Sequence, residues 1–112
     1  MQIKKYGNKR TIYNGRTYDS KKEAKRSYEL DLLQRAGYIR NLERQRRFEL
    51  QQSCKIRGTT IRAITYIADF YYYDNVKKTW VAEDTKGFRT EVYKIKKKLF
   101  LVKYPDILFI ES

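Results

Sequence analysis

Residues 61–73, IRAITYIADFYYY, constrain this chain more than any other stretch. β-Branched and aromatic side chains dominate them and Gly and Pro are absent, so they are expected to form a long strand, central in its first part. Asp74 and Asn75 end it. Three further strands are expected around it. Residues 45–50 alternate, with Arg46, Phe48 and Leu50 on one face and Gln45, Arg47 and Glu49 on the other. Residues 79–85 (TWVAEDT) form the next strand, closed by Gly87, and residues 107–110 (ILFI) read as a short buried one.

Helices separate these strands. Ser20-Lys21-Lys22-Glu23 has the spacing of a capping box, and Ala24, Tyr28, Leu32 and Ala36 follow at four-residue intervals. A helix over residues 20–36 is the consequence, with Gly37 as its stop. Val92, Ile95, Leu99 and Val102 recur at helical spacing, with Lys94, Lys97 and Lys98 mainly on the other side. A second amphipathic helix over residues 90–104 follows, ended by Pro105. Asn14-Gly15 predicts a type I′ hairpin within residues 11–19, Gly58 marks another turn, and residues 1–10 read as a basic arm. The expected fold is a single α/β domain with a mixed central sheet flanked by two helices and preceded by an N-terminal hairpin. Strand, helix and apolar strand in succession favour a right-handed crossover, with the last strand parallel to an earlier one.

Composition narrows the chemistry. The 112 residues include 26 Lys plus Arg against 13 Asp plus Glu, a net charge of +13, and no histidine. That absence excludes Ser-His-Asp triads, Cys-His pairs and His-based zinc or nuclease centres. The excess charge points to a polyanionic partner, nucleic acid before an acidic membrane surface, while the 15% aromatic content argues against disorder. No apolar run is long enough to span a membrane and the start is not a secretory leader, so a cytoplasmic location is expected. Cys54 is alone and reads as a buried or bystander thiol.

The acids that interrupt this basic background are the informative residues. Asp69 lies inside the apolar strand, where an unpaired carboxylate costs several kcal/mol and needs a partner. A salt bridge to Lys or Arg is one answer, a metal ion another. On the next strand Asp84 and Lys86 share a face and Thr85 takes the other. If these strands pair, two carboxylates and a lysine converge. With a backbone carbonyl, that of Thr85, Asp69 and Asp84 can hold Mg²⁺, while Lys86 orients the attacking water or stabilises developing charge. Phosphodiester hydrolysis fits this set. Acid-x-Lys occurs three times in the chain, but only Asp84-Thr85-Lys86 lies on a strand preceded by an acid-bearing strand. Glu83 should face away from Asp84 as a solvated or structural acid. The run Tyr71-Tyr72-Tyr73 should bury one or two rings and is given no function.

The stretches YDSKKEA, TYIADF, EDTKGF and the basic helix running into KYPDILFI resemble the PD-(D/E)xK nuclease superfamily, most closely its small phage-type members, which include junction-resolving endonucleases. The resemblance covers most of residues 18–110. It implies a restriction-endonuclease-like core in which Glu23, Asp69, Asp84 and Lys86 form a Mg²⁺-dependent centre, with Mn²⁺ as the substitute metal. It further implies a homodimer that cuts branched or Holliday-junction DNA during phage recombination or processing, in the host cytoplasm. Ala68 stands where the family often has Pro, a difference of backbone shape more than chemistry. Glu23 is also the third residue of the capping box, and helical projection places Glu29 nearer the apolar stripe; the resemblance selects Glu23, with Glu29 its rival. Arg44, Arg46, Arg47, Lys94, Lys97 and Lys98 are the candidate phosphate contacts. Two other readings are a non-catalytic nucleic-acid-binding module and a nuclease subunit active only within a larger assembly.

Overall fold

A computed structural model describes residues 10–85 and 89–112. All of the basic arm but Arg10, together with Lys86 and Gly87, lies outside the described residues. Strands β1 (Thr11–Tyr13) and β2 (Arg16–Tyr18) form the first hairpin, and helix α1 (Lys21–Arg35) follows. Strand β3 (Ile39–Gln51) leads to a second hairpin, β4 (Cys54–Ile56) and β5 (Thr59–Ile61). Then come β6 (Ile64–Asp74), β7 (Thr79–Asp84), helix α2 (Glu91–Lys103) and β8 (Leu108–Glu111). The main sheet has the order β3-β6-β7-β8. Its first two pairings are antiparallel and β7 with β8 is parallel, so this is the α/β fold with a mixed sheet that the sequence predicts.

Local signals account for the element ends. Asn14 and Gly15 take φ of 51° and 75°, the left-handed pair of a type I′ turn, and Arg57 and Gly58 do the same at 50° and 79°. Ser20 caps α1 through its side chain and Thr90 caps α2 likewise.

Several expectations are corrected. The strand placed at residues 45–50 is the second half of a thirteen-residue strand. The run at 61–73 is not continuous, since Ile61 belongs to the exposed β4–β5 hairpin and β6 begins at Ile64. Cys54 lies in that hairpin and is exposed, not buried. Among the described residues β8 is an edge strand paired with β7 alone; it is largely half-buried and Leu108 is exposed.

Both helices bury a face other than the periodic stripe. In α1 the buried residues are Glu23, Ala24, Ser27 and Leu30, while Tyr28 and Leu32 are exposed. Polar side chains can occupy the inner face because they have partners: Ser27 shares a hydrogen bond with Tyr18 at 2.7 Å and accepts one from Arg44 at 2.8 Å. In α2 the stripe Val92, Ile95, Leu99 and Val102 is exposed, and Tyr93 and Phe100 point inward. Two large rings bury more apolar area than the aliphatic stripe. They pack with Phe48, Tyr66, Ala68 and Ala82, whereas Leu30 packs on the other sheet face with Ile39, Phe70, Tyr72 and Val81. Tyr66 and Ala68 therefore face α2 while Phe70 and Tyr72 face α1. The side-chain alternation of β6 slips at Asp69, between them.

Among the described residues no helix is long and apolar enough to cross a membrane.

Candidate functional site

Asp69 sits where that alternation slips. The β6–β7 pairing ends at Phe70 with Glu83, one residue short of Asp69 on one strand and of Asp84 on the other. The Asp69 carboxylate is 8% exposed, and its Oδ2 accepts the Thr85 N–H and the Thr85 hydroxyl, both at 2.9 Å. Its Oδ1 accepts from the Gln45 amide at 3.4 Å. Gln45 reaches it from β3 with a left-handed φ of 54°. Among the described residues Asp69 has no salt bridge, so of the two answers the sequence allows, pairing with Lys or Arg is not the one seen, and its partners are neutral donors.

Asp84 is fully buried, and its Oδ2 accepts a hydrogen bond from the Tyr66 hydroxyl. Burial raises the pKa of Tyr66, and the neighbouring Asp84 and Asp69 carboxylates raise it further. One phenol thus feels both acids. Glu83 projects to the other sheet face, as alternation predicts, but it is buried and not solvated. There it accepts Nε and Nη2 of Arg26 and, at 2.7 Å, the Tyr72 hydroxyl. The pKa of Arg26 rises mainly through the Glu83 hydrogen bond; burial, before the charge of Glu83, raises that of Tyr72.

The two helix acids separate. Glu23 is buried on the inner face of α1 and borders a cavity of about 150 Å³ with Arg16, Arg44 and Gln45. Its backbone N–H donates to the Ser20 hydroxyl at 3.1 Å, half of the expected capping box. Glu29 is bound by Arg26 at 3.4 Å and borders a second cavity, of about 200 Å³, with Lys22, Lys25, Thr85 and Ser112. Gln45 and Thr85, which grip Asp69 from two sides, each line one of these cavities. Lys86 lies outside the described residues, and among them no group of three His, Cys, Asp or Glu side chains has metal-holding geometry.

The candidate phosphate contacts are mostly engaged by acids. Arg44 binds Asp31 at 2.7 Å and Arg46 binds Glu43 at 3.0 Å while lying over the Phe48 and Tyr71 rings. Lys94 binds Glu91 at 3.2 Å and Lys97 binds Glu111 at 3.0 Å. Arg47 and Lys98 are exposed. Sequence reasoning missed Gln45 and Tyr66 as partners of the central acids. It also missed Glu111, which gathers Arg89, Tyr93 and Lys97 and whose carboxyl pKa is held down at about 2, first by Arg89.

With that geometry in place, a family model matches residues 3–110, and the chain belongs to the family described as "Protein of unknown function (DUF1064)". Comparison with curated proteins and with solved structures gives no match.

Proposed function

We propose that this member of the family is a metal-dependent endonuclease that hydrolyses DNA phosphodiester bonds, selects branched DNA by shape and works as a homodimer. One observation carries the reading: in a chain of net charge +13, the buried Asp69 carboxylate is held, among the described residues, by the neutral donors Thr85 and Gln45. Those bonds fix its orientation without cancelling its charge.

The donor set suits a hard cation. Mg²⁺ binds oxygen, is satisfied by one or two carboxylates and keeps several waters. Asp69 and Asp84 would supply the carboxylates, with the Thr85 carbonyl and Glu23 as further oxygen donors. Once bound, Mg²⁺ would lower the pKa of its water and neutralise charge on a phosphate oxygen. Thr85, Gln45 and Tyr66 position the two acids, and we assign Lys86 to orienting the attacking water or stabilising the developing charge. A chain of 112 residues offers little surface for reading bases, so selection falls to DNA shape.

The test is cleavage of supercoiled plasmid and of a synthetic four-way junction with Mg²⁺, Mn²⁺ or EDTA. Cleavage by the wild type with either metal and none in EDTA is expected. Asp69→Asn and Asp84→Asn should each lose more than about 100-fold, the upper end of what removing an outer partner costs, with circular dichroism unchanged. No metal-dependent cleavage of either substrate overturns the reading. The absence of a three-acid metal group among the described residues favours a second one, a non-catalytic DNA-binding module. Junction binding with identical behaviour in Mg²⁺ and EDTA would establish that alternative.

A further inference from the structure

We infer that Lys22 and Lys25 hold a backbone phosphate of DNA in the cavity beside Thr85, so that the substrate strand crosses the first turns of α1 and not the lysine face of α2. This rests on the reading of the partner as DNA. The lysines lie three residues apart on the exposed side of α1 and border the same cavity of about 200 Å³. Neither makes a salt bridge among the described residues. The acid in that cavity, Glu29, is held by Arg26, whose guanidinium is itself committed to buried Glu83. Six other cations of the basic surface, Arg44, Arg46, Arg89, Lys94, Lys97 and Arg26, are paired with acids. Arg47 and Lys98 are also without a salt bridge among the described residues, but neither borders this cavity or the one beside Glu23; Arg16, likewise without one, borders the latter, where Asp19 and Glu23 also lie.

Position adds to charge. Thr85 forms part of the cavity wall and donates to Asp69 through its N–H and its hydroxyl. A phosphate drawn in by Lys22 and Lys25 would therefore sit one residue from both central carboxylates, Asp84 preceding Thr85 and Asp69 bound to it. The cavity has room for about six waters, enough for a phosphate group with part of its hydration. Two exposed lysines lining it supply attraction without base recognition, as a shape-selective binder needs.

The experiment is fluorescence anisotropy of a labelled four-way junction with the full chain, in EDTA, over roughly 0.05–0.3 M salt. The Lys22→Gln/Lys25→Gln double variant should lower the slope of log K against log salt by about 2 and weaken binding on the order of tenfold or more at physiological salt. Lys94→Gln/Lys98→Gln should leave slope and affinity close to wild type. Gln is a good helix former at exposed positions, and unchanged circular dichroism confirms the fold. A Lys22/Lys25 double variant that binds like wild type, an α2 variant that carries the loss, or a wild type that does not bind would each overturn the inference. A wild type that binds with this slope yet cleaves nothing in Mg²⁺ defeats the nuclease reading and leaves the phosphate site standing.

Discussion

Truncating Phe100 to Ala tests which face of α2 holds the molecule together. Phe100 is completely buried, with ring centroids of Phe48, Tyr104, Tyr66 and Phe109 at 5.0, 5.1, 5.6 and 5.6 Å. Removing a buried Phe side chain costs about 3–5 kcal/mol through lost burial and the residual cavity. The four ring contacts put this site in the upper half of that range, at about 4 kcal/mol. An unfolding entropy of about 2.1 cal/mol/K per residue gives roughly 0.24 kcal/mol/K for 112 residues, so Tm should fall by about 17 °C. Val102 is 82% exposed, and Val102→Ala should stay within about 0.5 kcal/mol and a few degrees. Urea denaturation followed by circular dichroism measures both, with the slope m checked for constancy so that midpoint shifts convert to free energy. If Val102→Ala or Leu99→Ala costs as much as Phe100→Ala, the aliphatic stripe is the packed face and the orientation of α2 is wrong.

Three other outcomes are expected. Glu83→Gln strips the buried partner from Arg26 and should destabilise the fold by about 3 kcal/mol in urea; a cost below about 1 kcal/mol would show the pair to be dispensable. The pKa of Glu111, held down at about 2 against an ordinary 4.5, means that its folded value lies below its unfolded one, so its contribution is present above about pH 4.5 and fades as pH falls towards 2. Arg89 is half-exposed, which discounts the contribution to roughly 1–2 kcal/mol, and Glu111→Gln should flatten that part of the stability–pH curve; an unchanged curve would refute the assignment. For the helix acid, Glu23→Gln should abolish Mg²⁺-dependent cleavage and Glu29→Gln should spare it, and the reverse result would move the site to the cavity beside Lys22.

Signals confined to a few neighbouring residues were legible in the sequence. The Asn14-Gly15 turn, the Ser20 cap, the helix ends and the parallel β7–β8 pairing all follow from local chemistry or connection rules. Helix orientation did not follow, because apolar periodicity gives no credit to a polar residue that finds a partner. Glu23 and Ser27 occupy the inner face of α1 for that reason, so burial does not follow the apolar stripe near which Glu29 lies. In α2 the periodic stripe outnumbers the two aromatic rings but buries less area. At the candidate site, Asp69 was identifiable as a buried acid from the cost of burying a charge within an apolar strand, and Thr85, which binds it, directly follows Asp84. Gln45 and Tyr66 were not identifiable, since each acts on an acid 24 or 18 residues away through the sheet, and one of them depends on a left-handed backbone kink.

The division among the acids gives the site its physical character. Glu29, Asp31, Glu43, Glu83, Glu91 and Glu111 each bind a lysine or arginine, as expected where positive side chains outnumber negative ones two to one. A buried carboxylate with a purely structural task is stabilised most directly by such a cation, and Glu83 with Arg26 is the example on the neighbouring strand position. Asp69 is buried without such a cation among the described residues. Thr85 and Gln45 bind the oxygens of this buried side chain without supplying a countercharge, and burial strengthens attraction to an external cation. Replacing Thr85 by Val would remove one neutral donor and keep the shape; replacing Gln45 by Lys would neutralise the acid. If Asp69 serves only the fold, the lysine should stabilise it. If it serves a metal, the same lysine should stabilise the fold and abolish cleavage, and this opposition between stability and activity distinguishes the two roles.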